Sequence, residues 1–172
     1  MSRNAYYGNV YNLSATQQKE VNVSLKSPFG KVEVYTTIED VEVASGLGYN
    51  LDDMMSCMTI EGAATVFNAL DGAAIGEKTT ISLLPNSIPT EIKTIKGKNY
   101  RMLAADFVLG FRNQPADVTV ELLKADNQSL VFNAGKAWME SEATFVLYNR
   151  YLTTPVDFDI NIDGNYDSDN TL

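Results

Sequence analysis

The stretch Pro155-Val156-Asp157-Phe158-Asp159-Ile160-Asn161-Ile162-Asp163 alternates apolar and polar residues without a break. Side chains on a strand point to opposite faces with a period of two. Val156, Phe158, Ile160 and Ile162 therefore share one face, and Asp157, Asp159, Asn161 and Asp163 share the other. A helix advances about 100° per residue and would scatter the four apolar groups around its axis. The pattern predicts a strand that packs its apolar face and shows an acidic face to water. Near the end of the chain, such a strand can complete its own sheet or a neighbour's, so Val156, Phe158, Ile160 and Ile162 form a candidate packing or strand-exchange face.

The same alternation recurs upstream. Residues 19–26 and 31–38 alternate on either side of the turn residues Pro28-Phe29-Gly30 and are expected to form a neighbouring pair of strands. Residues 39–45 are the best candidate for a short helix or turn, stopped at Gly46 and Gly48. Residues 55–60 and 64–68 read as short strands separated by Glu61-Gly62, and 78–84 as a β-branched run ended by Pro85 and Pro89. Lys96-Gly97-Lys98-Asn99 is a turn, and 100–109 a long strand with a bend. Residues 117–124, 129–133 and 143–149 complete the set, with Asn113-Gln114-Pro115 and 125–128 as connections. About nine to eleven strands at a spacing of roughly 8–15 residues, with at most one short helix, predict an all-β protein. The expected architecture is an antiparallel β-sandwich of Greek-key, transthyretin-like type.

The 172 residues suit a single domain, with 1–15 as an interdomain segment and 164–172 as a flexible polar tail. Hydrophobic residues make up 45%, which supports a folded core, and the net charge of −9 works against nucleic-acid binding. No apolar run approaches the roughly 18 residues of a membrane span, and Met1 to Tyr7 carry no apolar signal region. There is no histidine, which removes the commonest general base and metal ligand from any mechanism. The single cysteine, Cys57, lies in a soft apolar stretch and reads as a small packed hydrophobe. No cofactor is expected, and the chain reads as a non-enzyme.

Three constellations remain. Asp159, Asn161 and Asp163, followed by Gly164, fit the first half of a calcium loop, but position twelve is Asn170 where a bidentate carboxylate is wanted. An acidic strand face and a turn account for all of these residues. The pairs Asp52-Asp53 and Glu140/Glu142 read as solvated surface rather than acid–base machinery. Tyr6, Tyr7, Tyr11, Tyr148 and Tyr151 offer a carbohydrate-stacking platform if the fold gathers them. As strand residues with polar tips, they equally suit sheet packing, and Trp138 reads as packed.

Residues 3–8, 25–32 and 35–37, the Ala64-Thr65-Val66-Phe67-Asn68-Ala69-Leu70-Asp71-Gly72 stretch, the strand 100–109 and the closing run 148–163 occur in an order that resembles fimbrilin-like surface proteins of the Bacteroides group. Where that family carries a basic run before its closing strands, this chain has Glu142-Ala143-Thr144-Phe145. The resemblance implies the C-terminal β-domain of an exported, outer-membrane-anchored surface lipoprotein. It implies a structural or adhesive role in fimbria-like assemblies, with other subunits, or a second copy of itself, as partners through strand addition. A host or bacterial surface glycan or protein is the expected external partner, and a carbohydrate-binding surface module is the alternative reading.

Overall fold

A computed structural model describes residues 5–10 and 22–153. Among these residues the chain forms eleven strands and one α-helix, in chain order. They are β1 (Gly30–Thr37), α1 (Ile38–Gly46), β2 (Met55–Ala63), β3 (Val66–Asn68), β4 (Ala73–Ile75), β5 (Thr79–Ser82) and β6 (Asn86–Ser87). Then follow β7 (Ile92–Ile95), β8 (Lys98–Val108), β9 (Pro115–Leu123), β10 (Ser129–Trp138) and β11 (Thr144–Asn149), and a 3₁₀ turn at Leu51–Asp53 precedes β2.

Two sheets share one core. The first runs β11-β1-β8-β7 and the second β10-β9-β2-β5, with the two-residue β6 also on β2 and β3-β4 as a separate hairpin. Val32 and Val34 of β1 and Leu103 and Val108 of β8 meet Met58 and Ile60 of β2 and Val118, Val120 and Leu122 of β9 in one buried cluster. The period-two pattern read from the sequence produces this core: β9 alternates buried and half-buried residues along its whole length. The all-β sandwich is therefore the fold.

One ladder departs from the antiparallel expectation. β1 pairs antiparallel with β8 but parallel with β11, from Lys31↔Thr144 to Thr36↔Asn149. Parallel neighbours need a long crossover. Here nearly the whole domain lies between β1 and β11, and the chain crosses from β10 in the second sheet to β11 in the first.

Three local expectations are corrected. Of residues 19–26, expected as the strand neighbour of 31–38, the described residues 22–26 do not form it: both sides of β1 are taken by β8 and β11, and Lys26 makes only an isolated bridge with Tyr7. As an inner strand, β1 has backbone donors and acceptors on both edges that need partners, and a short hairpin supplies only one edge. Glu61-Gly62 does not divide two strands; β2 runs through it on a bulge where Gly62 takes φ +97°, a conformation that only glycine adopts without strain. Likewise β10 does not stop at Asn133 but continues to Trp138 across a bulge, where the Asn133 side chain accepts a hydrogen bond from the Gly135 N–H.

A second, smaller apolar cluster lies on the other face of the first sheet. Tyr35, Tyr100 and Met102 are buried there, with Ile95, Ala105, Val146 and Tyr148 packed around them. Tyr100 and Tyr148 meet edge to face at 5.3 Å.

Candidate functional site

The strongest buried polar feature sits where β1 passes into α1. Thr37 caps the helix, its side chain accepting from the Asp40 N–H at 3.1 Å. That places Asp40 in the first turn with a side chain 0% exposed. Its Oδ2 accepts from the Thr36 hydroxyl at 2.6 Å and the Leu152 N–H at 2.6 Å. Its Oδ1 accepts from the Thr153 N–H at 3.0 Å, the Thr153 hydroxyl at 2.5 Å and Arg150 Nε at 3.3 Å. Burial pushes the carboxyl up, but the hydrogen bonds from Thr153, Thr36, Leu152 and Arg150 outweigh it and hold Asp40 below its ordinary range. Between Arg150 and Thr153 the chain is further held by Tyr151, whose ring stacks on Phe132 at 4.9 Å and whose hydroxyl donates to the Ala134 carbonyl. Burial raises the Tyr151 phenol well above its ordinary pKa. The Asp40 carboxylate thus latches the segment after β11 onto the end of β1.

A second buried carboxylate lies seven residues earlier. Glu33 accepts from Lys31 at 2.5 Å, from Lys93 at 3.3 Å and from the Tyr35 hydroxyl at 3.1 Å. Burial raises its pKa, and the hydrogen bond and charge of Lys31, with Lys93 and Tyr35, bring it below the ordinary value. Burial and the neighbouring Glu33 and Glu91 carboxylates push the Tyr35 phenol far up. Lys93 also lies over the Tyr35 ring at 5.7 Å.

A cleft of about 230 Å³ opens at one end of the sandwich. Five segments distant in sequence line it: Tyr7, Lys26 and Pro28, the β3-β4 hairpin from Phe67 to Ala74, the turn after β8 with Arg112, and the β10-β11 turn with Glu140 and Glu142. Tyr7 packs edge to face on Phe67 at 4.7 Å, and its backbone pairs with Lys26. Gly72, at φ +63°, seats the Tyr7 ring; a Cβ there would come within 2.9 Å of the Tyr7 hydroxyl. Asn9 fastens the same segment by donating to the Leu70 carbonyl at 2.9 Å.

The residues singled out from the sequence are dispersed. Asp159, Asn161 and Asp163, the proposed exchange face Val156, Phe158, Ile160 and Ile162, and Tyr11 all lie outside the described residues. Asp52 pairs with Arg101 at 2.7 Å, while Asp53 accepts from Asn50, so that pair is a surface turn. Tyr7, Tyr148 and Tyr151 pack on Phe67, Tyr100 and Phe132 in turn, and Tyr6 is exposed, so no single platform gathers them. Trp138 packs on Phe145 at 5.6 Å. Cys57 is partly buried, its sulfur 3.7 Å from Glu121, and burial and that carboxylate raise its pKa, which keeps the thiol protonated. Glu140 and Glu142, read as plain surface, line the cleft instead.

Sequence reading missed Asp40, Glu33 and the cationic side of the cleft. A signal for Asp40 was present, since Thr37-Ile38-Glu39-Asp40 has the spacing of a capping box. Nothing local marks Glu33, whose lysine partner Lys93 is 60 residues away.

Among the described residues no group of three or more histidine, cysteine, aspartate or glutamate side chains is placed to hold a metal ion. No helix among them is long and apolar enough to cross a membrane. Fold and site together define an all-β sandwich domain with two internally satisfied buried carboxylates and a polar end cleft. The chain belongs to the family of unknown function DUF6562, whose match spans residues 1–171. No curated protein and no solved structure matches it.

Proposed function

We propose that this domain is a non-enzymatic structural or adhesive subunit of a cell-surface assembly, of the fimbrilin-like kind, joined to neighbouring subunits or to its own copies by strand addition. The observation that carries this reading is the edge strand β11. Among the described residues it has one ladder partner, β1, and it presents Phe145 and Leu147 to the core and Val146 and Tyr148 to the second apolar cluster. An edge of this kind offers main-chain hydrogen bonds and side-chain pockets on both faces to an incoming strand. The alternating segment 155–163 follows β11 directly after the Asp40 latch and has the sequence of such a strand. Each of its four apolar side chains would contribute on the order of 1.5–3 kcal/mol on burial. On this reading the protein works at the cell surface, anchored to the outer membrane.

Light scattering after size exclusion tests it, on the full chain and on a chain lacking residues 155–172. Loss of self-association with an unchanged melting temperature is the expected result. Self-association that survives the deletion, or a full chain that is monomeric at high concentration, would overturn the reading.

A further inference from the structure

We propose that the cleft at the Tyr7–Phe67 end of the sandwich binds one pyranose ring of a neutral glycan. This goes beyond the assembly role and does not depend on it. At about 230 Å³ the cavity is smaller than the roughly 300–1,000 Å³ of sites for drug-sized molecules, and so suits a single ring.

Its chemistry selects the ligand class. Lys26 and Arg112 supply cationic donors, and Glu140 and Glu142 supply anionic acceptors. None of these four side chains forms an ion pair or hydrogen bond with a described residue, although all line one cavity. The two buried carboxylates described above, Glu33 and Asp40, are by contrast fully occupied. An anionic ligand would meet two carboxylates, and a cationic one would meet an ammonium and a guanidinium. A wholly apolar ligand would strip water from four charges and return nothing. A sugar hydroxyl donates and accepts at once, so neighbouring hydroxyls can satisfy both kinds of group with charge-assisted hydrogen bonds. The aromatic pair of Tyr7 and Phe67 supplies the apolar surface on which the C–H face of a pyranose lies. Gly72 leaves room for the Tyr7 ring, which its contact with Phe67 and its backbone bridge to Lys26 hold, so the surface exists before the ligand arrives.

Saturation-transfer NMR on the full chain tests the assignment, with the methyl glycosides of glucose, galactose, mannose and N-acetylglucosamine as probes and glycine as a zwitterionic control. Transfer to the ring C–H protons of at least one glycoside is expected. Arg112→Ala and Glu140→Gln, both at the rim, should each weaken binding about tenfold, the loss of a charged hydrogen bond, without changing the melting temperature. Tyr7→Leu should abolish the transfer, and the two rim variants keep the test valid if that change unsettles the fold. The proposal is overturned if all four glycosides are silent, if neither rim substitution lowers the affinity, or if glycine competes for the site.

Discussion

Glu33 and Asp40 are the same functional group, buried at either end of the same strand-to-helix passage, and the domain stabilises them by opposite means. Glu33 is neutralised by two lysines whose side chains remain 32% and 42% exposed. Asp40 is held mainly by neutral dipoles: two backbone N–H groups and two threonine hydroxyls, with Arg150 at 3.3 Å as the only cation among the described residues. Charge attraction from half-exposed lysines reaches through solvent and is screened by salt. Fixed dipoles in a dry site are not. Glu33 is thus an electrostatic anchor on a sheet face, whereas Asp40 is a geometric latch that joins three parts of the chain.

The largest expected effect follows from removing the latch. An amide at position 40 would turn an NH₂ toward donors, so Asp40→Asn should destabilise the domain by about 3 kcal/mol or more, as unsatisfied buried donors do. Urea denaturation measures it, and a cost below that of an ordinary surface substitution would dissolve the contrast with Glu33.

Acid should act next. Both carboxyls titrate below their ordinary values in the folded protein, 3.8 for Asp40 and 4.5 for Glu33. Their contribution is therefore complete above those values and is lost as pH falls through the lower folded values. The melting temperature should hold from neutral pH to about pH 5 and fall steeply below pH 4, with a smaller acid-induced fall in Asp40→Asn.

The smallest effect is the most discriminating. Glu33→Gln keeps hydrogen-bonding capacity and loses the ion pairs, for an expected cost of about 1–2 kcal/mol in low salt that shrinks as salt is raised. The cost of Asp40→Asn should respond less to salt, through Arg150 alone. Equal salt sensitivity of the two variants would erase the distinction between anchor and latch.

Alternation made the sandwich legible in the sequence, because the period of two is a local property of each strand. The short helix was legible at 39–45 through the glycines that stop it, although its Thr37 cap was not read and the helix runs over Ile38–Gly46. Partner choice was not: the parallel ladder of β1 with β11 joins residues more than 100 positions apart, and no local pattern encodes it. Gly62 misled the reading because a glycine that breaks a strand and one that permits a bulge look alike in sequence. The cleft was half visible. Tyr7, Glu140 and Glu142 drew notice for their chemistry, but only the fold brings them to Phe67 and Arg112.

Amide hydrogen exchange at Leu152 and Thr153 tests the latch most directly. Both N–H groups end on the Asp40 carboxylate, at 2.6 and 3.0 Å, close to the last described residue. Protection at these two amides should approach that of core strand β9, and Asp40→Asn should remove it while β9 stays protected. Fast exchange at Leu152 and Thr153 in the unsubstituted protein would contradict the account.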